Sequence, residues 1–169
     1  DTQYIHGILY YLPTLVDGTT ITDDKILDIS NNFISGFRKS ISLADYASMD
    51  RVQLKQVAFW NVSNNKIVMA QNISVTGNYG IMSAAGSELT NNSIWMNNET
   101  TADLTYGIVA HGSNTLLDAA SIFGSVVRGN RIYGGISTAN SASICVGYFG
   151  WNYYNNIIES NITKLPILN

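Results

Sequence analysis

Cysteine is nearly missing from this chain: Cys145 is the only one in 169 residues, so no intrachain disulfide can staple the fold. It lies in the run Ser143-Ile144-Cys145-Val146, where a thiol is read as a small buried hydrophobe. Charge is scarce too. Charged residues make up 12% against 46% hydrophobic, with a formal net charge of −3. That balance argues against a nucleic-acid binder, which carries a basic footprint, and against a disordered chain. It also argues against an ordinary helical domain, whose exposed faces carry Lys and Glu. With only His6 and His111 and no Cys/His cluster, no metal or cofactor is expected. No apolar run approaches the roughly 18 residues of a membrane span, and no basic segment leads into an apolar one at the start, so no membrane insertion is expected. The chain opens at Asp1 rather than Met, and the expectation is a processed product or an excised piece of something longer. Its length suits one domain with a substantial core.

What the chain has instead is asparagine, in a repeat. Five segments share an aliphatic or aromatic residue, two intervening positions, Asn, one position, then Ile. They are Ile29-Ser30-Asn31-Asn32-Phe33-Ile34, Val62-Ser63-Asn64-Asn65-Lys66-Ile67, Leu89-Thr90-Asn91-Asn92-Ser93-Ile94, Val127-Arg128-Gly129-Asn130-Arg131-Ile132 and Tyr153-Tyr154-Asn155-Asn156-Ile157-Ile158. The second Asn returns at 32, 65, 92, 130 and 156, in steps of 33, 27, 38 and 26. The shorter steps fit a plain coil of a solenoid and the longer ones fit coils carrying insertions. A second marker keeps phase: Tyr79-Gly80-Ile81 and Tyr106-Gly107-Ile108 lie 27 apart. Gly80 precedes Asn92 by 12, and Ile144 precedes Asn156 by the same 12, whereas Gly107 precedes Asn130 by 23. That coil therefore holds extra residues, expected within 110–125.

The pattern has a local physical reason. A coil must turn sharply between two short strands, and Asn tolerates the left-handed conformation that such a turn needs. Stacking then brings equivalent Asn side chains into a hydrogen-bonded ladder, with the flanking aliphatic residues stacked inside. The expected fold is all-β, a right-handed parallel β-helix of about five to six coils. It would be a single domain over 1–169, with an irregular leading strand or cap at 1–22, coils over 24–163 and a tail at 164–169. Residues 42–56 read as a short helix or long loop, and the tail as a cover for the last coil or a partner contact. An antiparallel sandwich also has Asn-rich turns, but hairpins give no reason for the same flanking residues to return in register. No six-residue aliphatic repeat supports a left-handed hexapeptide helix. A β-branched residue at Asn92 is expected to cost about 1–3 kcal/mol, through a strained left-handed position and a broken ladder.

Coils marked by Asn-Asn-x-Ile with in-phase Gly resemble the pectate-lyase-like superfamily of β-helices, and within it bacteriophage tailspike proteins. The resemblance covers about residues 24–163 and is one of architecture, without a catalytic signature that transfers residue by residue. It implies an extracellular or virion-surface protein that binds bacterial surface polysaccharide, often with hydrolase or lyase activity, and that forms a homotrimer.

A glycosidase needs two carboxylates in different protonation states. The long insertion at 110–125 carries Asp118, which could face Asp103 or Glu88 from adjacent coils. The ordinary reading of such loop carboxylates is plain solvation. His111 beside them is a candidate for glycan contact, though a lone loop histidine is more often plain surface. A lyase wants a base, and Arg128 or Arg131 is available, each also readable as an exposed side chain beside the turn. Trp95, Tyr148, Trp151 and Tyr154 are candidates for stacking on sugars; the same rings, with Phe149 and Tyr153, also suit core filling or an interface. Whether the chain is an enzyme stays open, and a non-catalytic stalk, folding or attachment module is the alternative. The sequons at Asn61, Asn72, Asn91, Asn98 and Asn161 are expected by chance in so Asn-rich a chain. The threonines do not keep the coil period that an ice-binding ladder requires.

Overall fold

The structure is a computed structural model, and it describes residues 6–9, 27–43, 60–70, 78–83, 87–97, 105–111, 125–136, 142–147, 151–161 and 167–168. Among them every element is a β-strand, and the strands form three parallel sheets. The first sheet holds β1 (His6–Leu9), β4 (Lys39–Ser42), β7 (Asn78–Ser83), β10 (Thr105–His111), β13 (Ala142–Gly147) and β16 (Ile167–Leu168). The second holds β2 (Leu27–Ser30), β5 (Trp60–Ser63), β8 (Ser87–Thr90), β11 (Ser125–Arg128) and β14 (Trp151–Tyr154). The third holds β3 (Phe33–Phe37), β6 (Lys66–Met69), β9 (Ser93–Met96), β12 (Arg131–Ile136) and β15 (Ile157–Asn161). The chain visits the sheets in strict rotation, and each strand pairs with its counterpart one rotation later. This architecture is consistent with a β-solenoid. Parallel strands cannot be joined by tight hairpins, so the antiparallel sandwich is excluded for these residues.

Register explains the aliphatic pattern. Ile29, Val62, Leu89, Val127 and Tyr153 stand opposite one another along the second sheet. Ile34, Ile67, Ile94, Ile132 and Ile158 do the same along the third. Ile8, Ile41, Ile81, Ile108, Ile144 and Ile167 run along the first. The members of these columns from Ile8 to Ile144, Ile29 to Val127 and Ile34 to Ile158 form one core, in which Ile41, Val62, Ile67, Ile81, Leu89, Ile94, Ile108, Val127, Ile132 and Ile144 are fully buried. Each such side chain contributes roughly 1.5–3 kcal/mol by leaving water. A second, smaller cluster of Tyr79, Met82 and Val109 with Tyr106 belongs to the first sheet, where β7 is buried along its whole length.

One phase assignment from the sequence is corrected. Ile144 is the counterpart of Ile81, through Ile108, and not of Gly80; Ile81 precedes Asn92 by 11 and Ile144 precedes Asn156 by 12, so the last connection is one residue longer rather than equal. In register, Gly80 falls between Ser40 and Gly107. A Cβ at Gly80 would lie 2.7 Å from the Gly107 carbonyl and 2.7 Å from Ile94 Cγ2, so the third-sheet isoleucine packs directly onto backbone there. In the apolar tail, Ile167 and Leu168 pair with Ile144 and Cys145 as a strand of the first sheet. The expected helix or loop at 42–56 and the insertion at 110–125 lie almost wholly outside the described residues.

The Asn turns divide their work between two adjacent residues. The first position is left-handed: Asn31, Asn64, Asn91 and Asn155 have φ of 59°, 56°, 55° and 55°, and Gly129 takes the same place at 65°. The second position, Asn32, Asn65, Asn92, Asn130 and Asn156, is absent from the positive-φ residues and turns inward. From Asn65 onward, each inward Oδ1 accepts two bonds from the preceding Asn. Asn65 Oδ1 takes the N–H and Nδ2 of Asn32, Asn92 those of Asn65, Asn130 those of Asn92 and Asn156 those of Asn130, all at 2.9–3.0 Å. The other Nδ2 proton reaches back to a carbonyl of the previous layer, as from Asn92 to Val62 at 2.9 Å. Backbone bonds run through the same turn, for example Asn64 N–H to Thr90 carbonyl at 3.1 Å and Ser93 N–H to Asn65 carbonyl at 2.8 Å. The expectation that Asn92 itself is left-handed is therefore wrong. The left-handed residue is Asn91, and Asn92 carries the ladder.

Candidate functional site

Alternation along a strand puts residues next to the inward isoleucine on the outer face. On the third sheet this makes two outer columns. One is Phe33, Lys66, Ser93, Arg131 and Ile157; the other begins at Ser35 and continues through Val68, Trp95, Tyr133 and Glu159. Trp95 and Tyr133 face each other in register on β9 and β12, with ring centroids 4.9 Å apart and planes 16° apart. That separation is close to the strand spacing of about 4.8 Å, so the sheet itself sets the stack. Trp95 keeps 38% of its surface exposed. Arg131, Lys66 and Glu159 are exposed around it, and Ser93 and Val68 half-buried. The sheet thus offers an aromatic pair rimmed by hydrogen-bonding and charged groups of both signs. Tyr133 and Glu159 were not singled out from sequence; each lies one residue after the inward Ile that follows its Asn turn, as Trp95 does after Ile94, and that offset would have found both.

The second sheet's outer face is more polar. Asp28, Asn61, Glu88, Val126 and Asn152 are in register. Asn61 Nδ2 donates to Asp28 Oδ1 at 3.1 Å. Glu88, a proposed catalytic residue, therefore stands between Asn61 and Val126, with no carboxylate on either neighbouring strand at its position. Asp28 is two strands away, about 10 Å by strand spacing. Asp103 and Asp118, the other two of that set, lie outside the described residues, as does Tyr148. His111 ends β10 and Trp151 begins β14, and each is described only as a strand position. Tyr154 is exposed and lies under the Arg128 guanidinium, 5.9 Å from its ring centroid. Arg128 and Arg131 flank the Gly129-Asn130 turn on two different sheets. Among the described residues, no group of three or more His, Cys, Asp or Glu could hold a metal ion, and no helix is long and apolar enough to cross a membrane.

Comparison with known proteins finds no family model that matches the chain, and no curated protein or solved structure matches it either.

Proposed function

We propose that this chain is a segment of a right-handed parallel β-helix of about five to six coils, built like the pectate-lyase-like superfamily and the phage tailspikes, that binds bacterial surface polysaccharide. In this reading it works at a virion or other extracellular surface, as a homotrimer. The observation that carries the reading is the half-exposed Trp95–Tyr133 stack, held on a rigid sheet and edged by Arg131, Ser93 and Glu159. Aromatic rings take the C–H faces of sugars, and polar neighbours take the hydroxyls. A linear glycan lying along the sheet meets a new row of side chains every 4.8 Å or so, which suits a repeating polymer better than a compact ligand.

The same face serves an endoglycosidase, a lyase or a binder. Hydrolysis requires a second carboxylate near the first, and Glu88 has Asn61 and Val126 beside it. That favours, as the second reading, a non-catalytic stalk, folding or attachment module. Titrating the protein against a panel of bacterial surface polysaccharides, with assays for new reducing ends and unsaturated uronates, separates the cases. Trp95→Ala is expected to weaken binding about tenfold, the equivalent of roughly 1.4 kcal/mol, with the melting temperature held. Undiminished binding by Trp95→Ala refutes the site. Binding without product supports the module over the enzyme, and absence of binding to every polymer refutes the glycan reading.

A further inference from the structure

We propose that a sugar ring carrying a negative charge sits on the Val68 side of the Trp95–Tyr133 stack, with Lys66 taking the charge. This names the class of sugar for the aromatic face and rests on the glycan reading. The two rings belong to in-register residues on neighbouring strands, with centroids 4.9 Å apart and planes 16° apart. Each ring therefore turns one face to the other. The second face of Trp95 looks toward β6 and that of Tyr133 toward β15, because the column runs Val68, Trp95, Tyr133, Glu159. A sugar that stacks on this pair takes one of those two outer faces, and they differ in chemistry.

On the β6 side the neighbour is Val68, which is half-buried. A valine is much smaller than an indole, so the surface drops by a step there, with Trp95 as its wall and Val68 as an apolar floor. The next strand does not crowd the step. Ser35, the partner of Val68, and Gly36 are both exposed, and a Cβ added at Gly36 would meet nothing within 4 Å. A pyranose standing in the step lays its C–H face on Trp95 and an edge on Val68, and Ser35 offers a hydroxyl at the open side. Lys66 lies on the same face two residues before Val68, about 7 Å along the strand, which its flexible arm spans. It is exposed, and its neighbours in register are Phe33 and Ser93, so no carboxylate stands opposite it on either adjoining strand. An ammonium so placed favours a carboxylate or sulfate on the ring over a plain hydroxyl. On the β15 side the neighbour is Glu159, exposed and acidic, which repels the same group. Charge on the sugar thus selects the Val68 side.

The test is a titration of the intact chain with methyl glucuronoside, methyl glucoside and the sulfate ester of methyl glucoside, following the Val68 methyl and Trp95 indole N–H signals by NMR. The uronoside, the sulfate ester or both are expected to shift the two signals and to saturate at about fivefold lower concentration than the neutral glucoside, the size of an exposed ion pair. Raising the salt concentration should shrink that difference. Comparison of the two charged probes tells carboxylate from sulfate as the recognised group. Lys66→Gln is expected to remove the preference for charge and Lys66→Arg to keep it. Val68→Trp fills the step and should abolish the response at Trp95, with circular dichroism melting to check that each variant is folded. Equal responses to neutral and charged glycosides overturn the proposal, as does a response that survives Lys66→Gln or Val68→Trp unchanged. Polysaccharide binding that depends on Trp95 but shows no preference for charge overturns it while leaving the glycan reading intact. No binding of any polymer or glycoside overturns both.

Discussion

Replacing Asn92 by valine removes one amide from the middle of the ladder and leaves a β-branched aliphatic side chain in its place. Asn92 is fully buried, and its Oδ1 is the acceptor for both the backbone N–H and the Nδ2 of Asn65 at 3.0 Å. Both donors lose that partner. Asn65 Nδ2 keeps its other bond, to the Ile29 carbonyl at 2.8 Å, but its second proton and the backbone N–H are stranded away from water. Each stranded buried donor costs about 1–3 kcal/mol, giving about 2–6 kcal/mol in all. Losses on the acceptor side are smaller, because Asn130 Oδ1 still receives the Asn92 backbone N–H at 2.9 Å. Against a typical domain stability of about 5–15 kcal/mol, this single change should be severe. Asn32→Val is the internal control. Its Oδ1 serves no donor among the described residues, and its backbone N–H still reaches Asn65, so the cost should be about 1 kcal/mol. Urea unfolding followed by tryptophan fluorescence measures both. A wild-type midpoint for Asn92→Val, or equal losses at the two positions, would refute the ladder account.

Three further outcomes follow from particular contacts. Asn91 is exposed and left-handed at φ 55°, so Asn91→Ala should lose about 1–2 kcal/mol in the same unfolding assay, while Asn91→Gly should stay near wild type, as Gly129 does naturally at the equivalent turn. Gly80→Ala places a Cβ 2.7 Å from both the Gly107 carbonyl and Ile94 Cγ2 and should cost about 1–3 kcal/mol by overpacking; an unchanged melting temperature would refute that packing. Ser40 is fully buried and its hydroxyl has no hydrogen-bond partner among the described residues, so Ser40→Ala should raise stability by about 1 kcal/mol, visible as a higher melting temperature.

The repeat was legible in the sequence because its cause is local. An Asn-Asn pair flanked by aliphatic residues encodes a turn with one residue left-handed and one turned in, and the steps of 33, 27, 38 and 26 between Asn32, Asn65, Asn92, Asn130 and Asn156 reappear as the steps of the ladder. Which Asn does which task was harder to read, because both are Asn in four of the five turns. The signal lay in the fifth, where Gly129 replaces the first Asn: glycine can hold a left-handed backbone but cannot supply a ladder amide. The candidate site was legible only in part. Trp95 stood among the aromatic candidates, but the ring it stacks on, Tyr133, is 38 residues away in sequence, and only parallel register makes them neighbours.

The turn, the inward columns and the all-β class can thus be read from the chain alone, since each follows from backbone preference and from hydrophobic burial at fixed spacing. Which outward side chains share a face emerges only when the strands pair, as where Glu88 stands beside Asn61 and Val126 and Trp95 stacks on Tyr133. Outer residues are under no burial constraint that would mark them in sequence, and the loops between layers vary in length, so their neighbours are set by strand register alone.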